Sequence, residues 1–215
     1  AGCLAARPGG TDGPTTGGCG RGGAGAHPPC RRFGYGYVQG ANAAAAELGV
    51  DVEVNYSWQY GANFSASPEL QTMASGWYQN GTEIIFSCGG AMFQSISAAA
   101  SANDGYVVGV DVDQSAESDA VITSAMKGLA SAVQWAVGHV YDGTFAEIGG
   151  VATSLGVTDD AVGLPTADES WRFETFTLDQ YDELYQKVLD GTLVVDADYE
   201  ANLEQDYSNL TLNII

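Results

Sequence analysis

Apolar and polar positions along this chain repeat with two periods. From Tyr37 to Leu48 an alanine-rich run spaces its apolar residues as a helix does, and Gly49 ends it. Asp51-Val-Glu-Val-Asn55 alternates with period two, as a half-buried strand does. An aromatic and polar loop follows, from Tyr56 to Ser67. Ser67 before Pro68 is a helix-start signal, which predicts a helix to about Asn80, ended by Gly81. Thr82 to Ser87 is the next strand, Gly89-Gly90 turns the chain into a helix over 91–102, and Tyr106 to Val110 is a third strand ending at Asp111. Val121 to Ser124 reads as a short strand and Lys127 to Tyr141 as a long helix. Helices and strands take turns, which implies a parallel sheet covered on both faces.

Both ends of the chain depart from this pattern. Residues 1–32 are rich in Gly, Pro and Arg and carry no apolar period, so they read as a disordered or aberrant segment. After Gly143 the alternation stops. Residues 149–157 and 161–164 read as a hairpin pair, Leu178 to Leu189 as a helix capped by Gly191, and Thr192 to Val195 as a short extended piece. The expected division is therefore 1–32, an α/β lobe over 33–142, and the crossing and closing elements of another lobe over 143–215.

Charge sharpens this division. The formal net charge is −20, yet residues 1–32 hold Arg7, Arg21, Arg31 and Arg32 against one acid, Asp12. From Phe33 on, the only cations are Lys127, Arg172 and Lys187. Nucleic-acid binding needs clustered Lys and Arg, so this balance argues against it, and against docking on anionic lipid. Cys3, Cys19 and Cys30 lack metal-site spacing, and Cys88 after its strand reads as a small buried hydrophobe.

In open α/β sheets ligands bind at the carboxyl ends of the strands, so those ends hold the candidates. Trp58, Tyr60 and Phe64 follow the first strand, as faces for a flat ligand or as packing beneath the loop. Gly89 and Gly90 follow the next and allow close backbone approach. Asp111 ends a strongly apolar strand, where a carboxylate can accept from a diol or make a turn; for Asp113, with Gln114 just beyond, the turn reading is favoured. Lys127 is the lone cation between Arg32 and Arg172, placed at a predicted helix start, where the dipole disfavours a positive charge. It is either a ligand contact or the structural partner of Asp111. No nucleophile elbow, HExxH or P-loop is present, so no catalytic or metal-ligating residue is assigned and no cofactor is expected.

Phe33-Gly-Tyr-Gly-Tyr-Val-Gln-Gly, Asn63-Phe-Ser-Ala-Ser-Pro, Ile84-Ile-Phe-Ser-Cys-Gly-Gly, Gly109-Val-Asp-Val-Asp-Gln and Thr123-Ser-Ala-Met-Lys-Gly together resemble the basic membrane lipoprotein (BMP) family of ABC-transporter substrate-binding proteins, of the purine-nucleoside receptor type. The resemblance covers about residues 33–205; residues 1–32 resemble nothing in the family, and its Asp- and Gly-rich opening motif is missing. It implies an α/β, type I periplasmic-binding-protein-like fold: one near-complete parallel-sheet lobe plus a C-terminal fragment of the second. By motif, Phe64 resembles the base-stacking aromatic, Asp111 and Lys127 the ribose-binding pair, and Gly89 and Gly90 the cleft-lining glycines.

The implied function is reception of a nucleoside, of the purine class, for an ABC permease. The receptor would be held on the outer face of the bacterial cell membrane by a lipid anchor that this chain does not carry. It is expected not to be an enzyme. A ligand sensor of the same fold is the alternative, and a nucleoside-processing enzyme a more distant one. Because one lobe is represented mainly by late elements, the chain is expected to bind nucleosides weakly and to hold its tail loosely.

Overall fold

In the computed structural model, residues 15–20, 28–57 and 64–215 are described, the first nine of these as backbone only. The expected alternation is present as β2 (Val52–Ser57), α2 (Pro68–Gln79), β3 (Thr82–Phe86), α3 (Phe93–Ala102), β4 (Tyr106–Asp111) and β5 (Val121–Lys127). Helix α2 starts where Ser67 predicts: its hydroxyl accepts from the Leu70 amide at 3.1 Å, and Pro68 takes the first turn. Expectations that rest on residues 1–14, 21–27 and 58–63, Trp58 and Tyr60 among them, lie outside the described residues.

The stretch expected to lack regular structure supplies two elements. Thr15–Gly20 forms β1, and helix α1 runs from Pro28 to Leu48, nine residues ahead of its predicted start. Strand β1 pairs in parallel with β2 on one side and β3 on the other, at the centre of the sheet. Its glycines hide a strand from any period-two reading, because they contribute no apolar side chain to the alternation. Gly34 and Gly36 likewise weaken the helical signal at the start of α1. At Gly34 the reason is packing: a β-carbon there would stand 2.5 Å from the Tyr56 hydroxyl and 2.8 Å from its ring.

The sheet order is β6-β5-β4-β3-β1-β2-β7, parallel throughout except for β6 (Val162–Gly163) against β5. The inner 2-1-3-4-5 order is doubly wound, and strand order reverses between β1 and β3. Side chains alternate across it. Ile84, Phe86, Val108 and Val110 pack with Tyr35, Val38 and Tyr56 on one face. Ile85 and Val107 pack with Leu70, Met92 and Ile96 on the other.

The tail joins this sheet. Strand β7 (Leu210–Ile214) extends it in parallel beyond β2. The predicted hairpin is not formed: residues 151–156 take no regular structure, and only β6 pairs, with the end of β5. Gly128 explains this choice, since its amide donates to Ala161 O at 2.8 Å and a β-carbon on it would lie 2.7 Å from Ala161 Cα. Helix α6 (Leu178–Leu189) opens on a Thr177–Gln180 capping box, whereas 192–195 is not a strand. Between these, helices α4 (Leu129–Tyr141) and α5 (Phe145–Ile148) follow β5, and α7 (Tyr199–Asn202) precedes β7. Asp196 ties the tail to α1: it accepts from Tyr35 Oη at 3.0 Å, and its backbone exchanges two 2.9 Å bonds with the Gln39 amide.

Helix α4 stands apart from both cores. None of its residues is buried, and Leu129, Val133, Val137, Val140 and Tyr141 are all exposed, Val133 at 61%. No helix among the described residues is long and apolar enough to cross a membrane.

Candidate functional site

Strands β3, β4 and β5 are parallel neighbours, so their carboxyl ends share one edge, beside the reversal of strand order. Ligands of doubly wound sheets bind at such a point. Of the five candidates, Gly89 and Gly90 follow β3, Asp111 ends β4 and Lys127 ends β5. Phe64 arrives from the loop before α2.

Phe64 closes on the glycine pair. A β-carbon on Gly89 would fall 3.3 Å from the Phe64 ring and 2.9 Å from Met92 Sδ. Gly90 has φ +43°, and its β-carbon would lie 3.5 Å from Phe64 Cβ. A side chain at either position would displace the ring, so the glycines set where this aromatic sits. Just before them, the buried Ser87 hydroxyl has no hydrogen-bond partner among the described residues.

Asp111 and Lys127 form an ion pair whose side chains are 39% and 36% exposed, open enough for a ligand to reach. Lys127 is the last residue of β5, two before α4 begins, and not the first residue of a helix as predicted. Its partners are therefore local to the sheet edge. Besides Asp111, its ammonium stands 5.2 Å from the centroid of the Phe33 ring, within cation–π range. Phe33 in turn meets Phe86 edge-on at 6.3 Å, and Phe86 stacks on Tyr37 at 5.6 Å. Phe33 is a site residue that the sequence did not single out. A lone aromatic on a helix reads as core, and only the tertiary approach of β5 gives it a cation.

Backbone strain marks the same places. Among the described residues, Phe64 (φ 57°), Asp104 (54°), Asp111 (72°) and Asp160 (51°) are the non-glycine residues at positive φ, and two of these four are site candidates. Such conformations persist where their surroundings over-determine them, and they gather at ligand sites.

Asp113 serves the scaffold. Its carboxylate accepts from Ser170 Oγ at 2.5 Å and from the Ser115 amide at 3.0 Å. Burial pushes its pKa up, but these bonds and the Arg172 charge outweigh burial and hold it below the ordinary carboxylate value. A lowered folded-state pKa stabilises above the ordinary value, and that stabilisation is lost as pH falls through the folded value. Asp113→Asn is therefore expected to flatten the loss of stability below about pH 4, as read by urea melts along a pH series. An unchanged acid profile would show that Asp113 does not carry this linkage.

The remaining chemistry lies elsewhere. His139 meets Thr144 Oγ1 at 2.7 Å and the Trp135 ring edge, both away from the sheet edge. No cluster of His, Cys, Asp and Glu among the described residues is arranged to hold a metal. A hollow of about 430 Å³ runs along α2 between Pro68 and Gln79, and none of the five candidates lines it. The strand-edge groups carry the functional argument, because the hollow holds no charged group.

Comparison with known proteins agrees with this geometry. The sequence model of the Bmp family, described as ABC transporter substrate-binding protein PnrA-like, matches residues 15–198. The match takes in residues 15–32, a stretch the sequence reading had placed outside the family. Basic membrane protein B of Borreliella burgdorferi is 34% identical over 64% of this chain and 39% of its own length. The ABC transporter nucleoside-binding protein BmpA of Lactococcus lactis is 26% identical over 62% of this chain and 41% of its own length. This chain thus spans about two-fifths of these relatives. A crystal structure of an ABC transporter system solute-binding protein from Aeropyrum pernix K1 superimposes with a TM-score of 0.64 at 21% identity, over 89% of this chain and 60% of that one. The chain has the α/β fold of these solute-binding proteins.

Proposed function

The chain belongs to the Bmp family of PnrA-like ABC transporter substrate-binding proteins, and from that premise we propose that its sheet edge recognises a nucleoside, of the purine class, on the way to an ABC permease. One observation carries the proposal: an aromatic ring seated on a glycine pair stands beside an exposed carboxylate–ammonium pair on adjacent strands. The Phe64 face suits a planar base. The Asp111 carboxylate accepts from two vicinal hydroxyls, and the Lys127 ammonium donates to a hydroxyl or ring oxygen. Binding and release need no bond to break, and nothing in this constellation supplies a nucleophile with its base. The relative named as a nucleoside-binding protein supports the choice of ligand. Delivery to a permease, and a place on the outer face of the membrane through a lipid anchor, belong to the same proposal.

A small-molecule site normally covers about 70–90% of its ligand. The Asp111–Lys127 pair is open on one side here. In the longer relatives the further length is proposed to close it, so the affinity of this chain alone is expected to be weak. Weak binding suits amide-shift titration by NMR. Inosine, guanosine and adenosine are expected to shift the amides of residues 87–91 and 110–113, and uridine to shift them less. Phe64→Ala is expected to lose about 1–3 kcal/mol, the worth of one stacked base. No response to any nucleoside would overturn the ligand class and leave the family standing.

A further inference from the structure

Parallel neighbours are usually joined by a crossover of a dozen or more residues, most often a helix. β4 and β5 are joined by residues 112–120 alone, with one 3-10 turn at Ser115–Glu117. Such a return leaves main-chain carbonyls that something must satisfy. Arg172 does so: Nη2 donates to Ser115 O at 2.9 Å, and Nη1 to Ser118 O at 2.9 Å and Val121 O at 3.1 Å. Two residues earlier, the buried Ser170 hydroxyl donates to Asp113 and accepts from Ser115 Oγ at 3.1 Å. A segment some fifty residues downstream thus fastens the return from β4 to β5 at both ends.

We propose that Arg172, with Ser170, is a positioning residue for the Asp111–Lys127 pair. Asp111 opens this return in a left-handed conformation that its surroundings must enforce. The Arg172 fork fixes the far end and Ser170 fixes Asp113, two residues from Asp111. Gln114 closes the interval: its Oε1 accepts from the Val110 amide at 2.9 Å, and its own amide donates to Ser124 Oγ at 3.1 Å. With the fork gone, the return loosens and Asp111 leaves the reach of Lys127. What the pair binds rests on the nucleoside reading; that the pair is held from Arg172 does not.

The chain has two lysines, Lys127 and the exposed Lys187 of α6, so each molecule carries its own reference. Trace acetylation read by mass spectrometry gives the ratio of their labelling rates. Lys127, held in its ion pair, is expected to label more slowly than Lys187. Arg172→Met, which keeps the stem and removes the donors, is expected to raise the ratio several-fold while the thermal transition stays cooperative. Arg172→Lys, with three donors on a compact head, is expected to restore part of the difference. Should Arg172→Met fail to fold, Ser170→Ala carries the test through the same ratio. A ratio equal to wild type in folded Arg172→Met, or in Ser170→Ala where Arg172→Met does not fold, overturns the proposal. A raised ratio in a protein that no nucleoside shifts would keep the positioning role and remove the nucleoside reading.

Discussion

Asp111→Ala is expected to weaken nucleoside binding by about 2–4 kcal/mol, roughly 30- to 700-fold, and to do so more than any other single change at the sheet edge. Two ligand hydroxyls would lose their charged acceptor while facing an ammonium that cannot accept from them. Alanine at φ 72° also carries a backbone cost, which Asp111→Asn avoids because asparagine tolerates the left-handed region. Asn is expected to retain the fold and lose most of the affinity. Asp113→Ala supplies the contrast: its carboxylate is engaged by Ser170 and Ser115, so it is expected to lower stability and to leave affinity nearly unchanged. Amide-shift titrations of the three variants decide this. A larger loss of affinity from Asp113→Ala than from Asp111→Ala would reassign the ribose contact.

Ile85→Ala is expected to cost about 2–5 kcal/mol of stability, the usual range for emptying a well-packed core position. Ile85 is fully buried in β3, the middle strand of the sheet, where its side chain meets the α2–α3 layer. The melting temperature should fall on the order of 10 °C. Val133→Ala on α4, at 61% exposure, should fall within about 0.5 kcal/mol of wild type. Calorimetric melts that rank the two the other way would mean that the sheet is not the stability core.

The strands and helices between Val52 and Lys127 are legible in the sequence because their residues obey a local period. Ile84, Ile85 and Phe86 read as a strand buried on both faces, and Ser67-Pro68 as a helix start, with no knowledge of neighbours. Phe64, Gly89, Gly90, Asp111 and Lys127 are legible for a related reason: topology alone sends strand ends to one edge. What could not be read is whatever depends on a distant partner. Strand β1 is a strand because β2 and β3 flank it, and its Gly-Gly pair carries no signal of its own. The last turns of β5 read as helix because Lys127 and Gly128 lead into one, yet β6 recruits them into the sheet. Arg172 looks like a lone surface cation until the carbonyls of residues 115–121 surround it. Strand β7 has too short an alternation to declare itself before it finds β2.

The bare flank of α4 has a consequence for how this chain behaves in a tube. Leu129, Val133, Val137 and Val140 form a sticky stripe on a particle that otherwise repels its own kind through a net charge of −20. Those two forces answer differently to ionic strength. Repulsion between particles has a range of about 30 Å in 0.01 M salt and about 3 Å in 1 M, whereas contact between apolar stripes is not screened at all. Dilute buffer should therefore keep the particles separate, and added salt should let the stripes find one another. Colloidal behaviour of this chain is set by a balance that the experimenter holds in the choice of buffer.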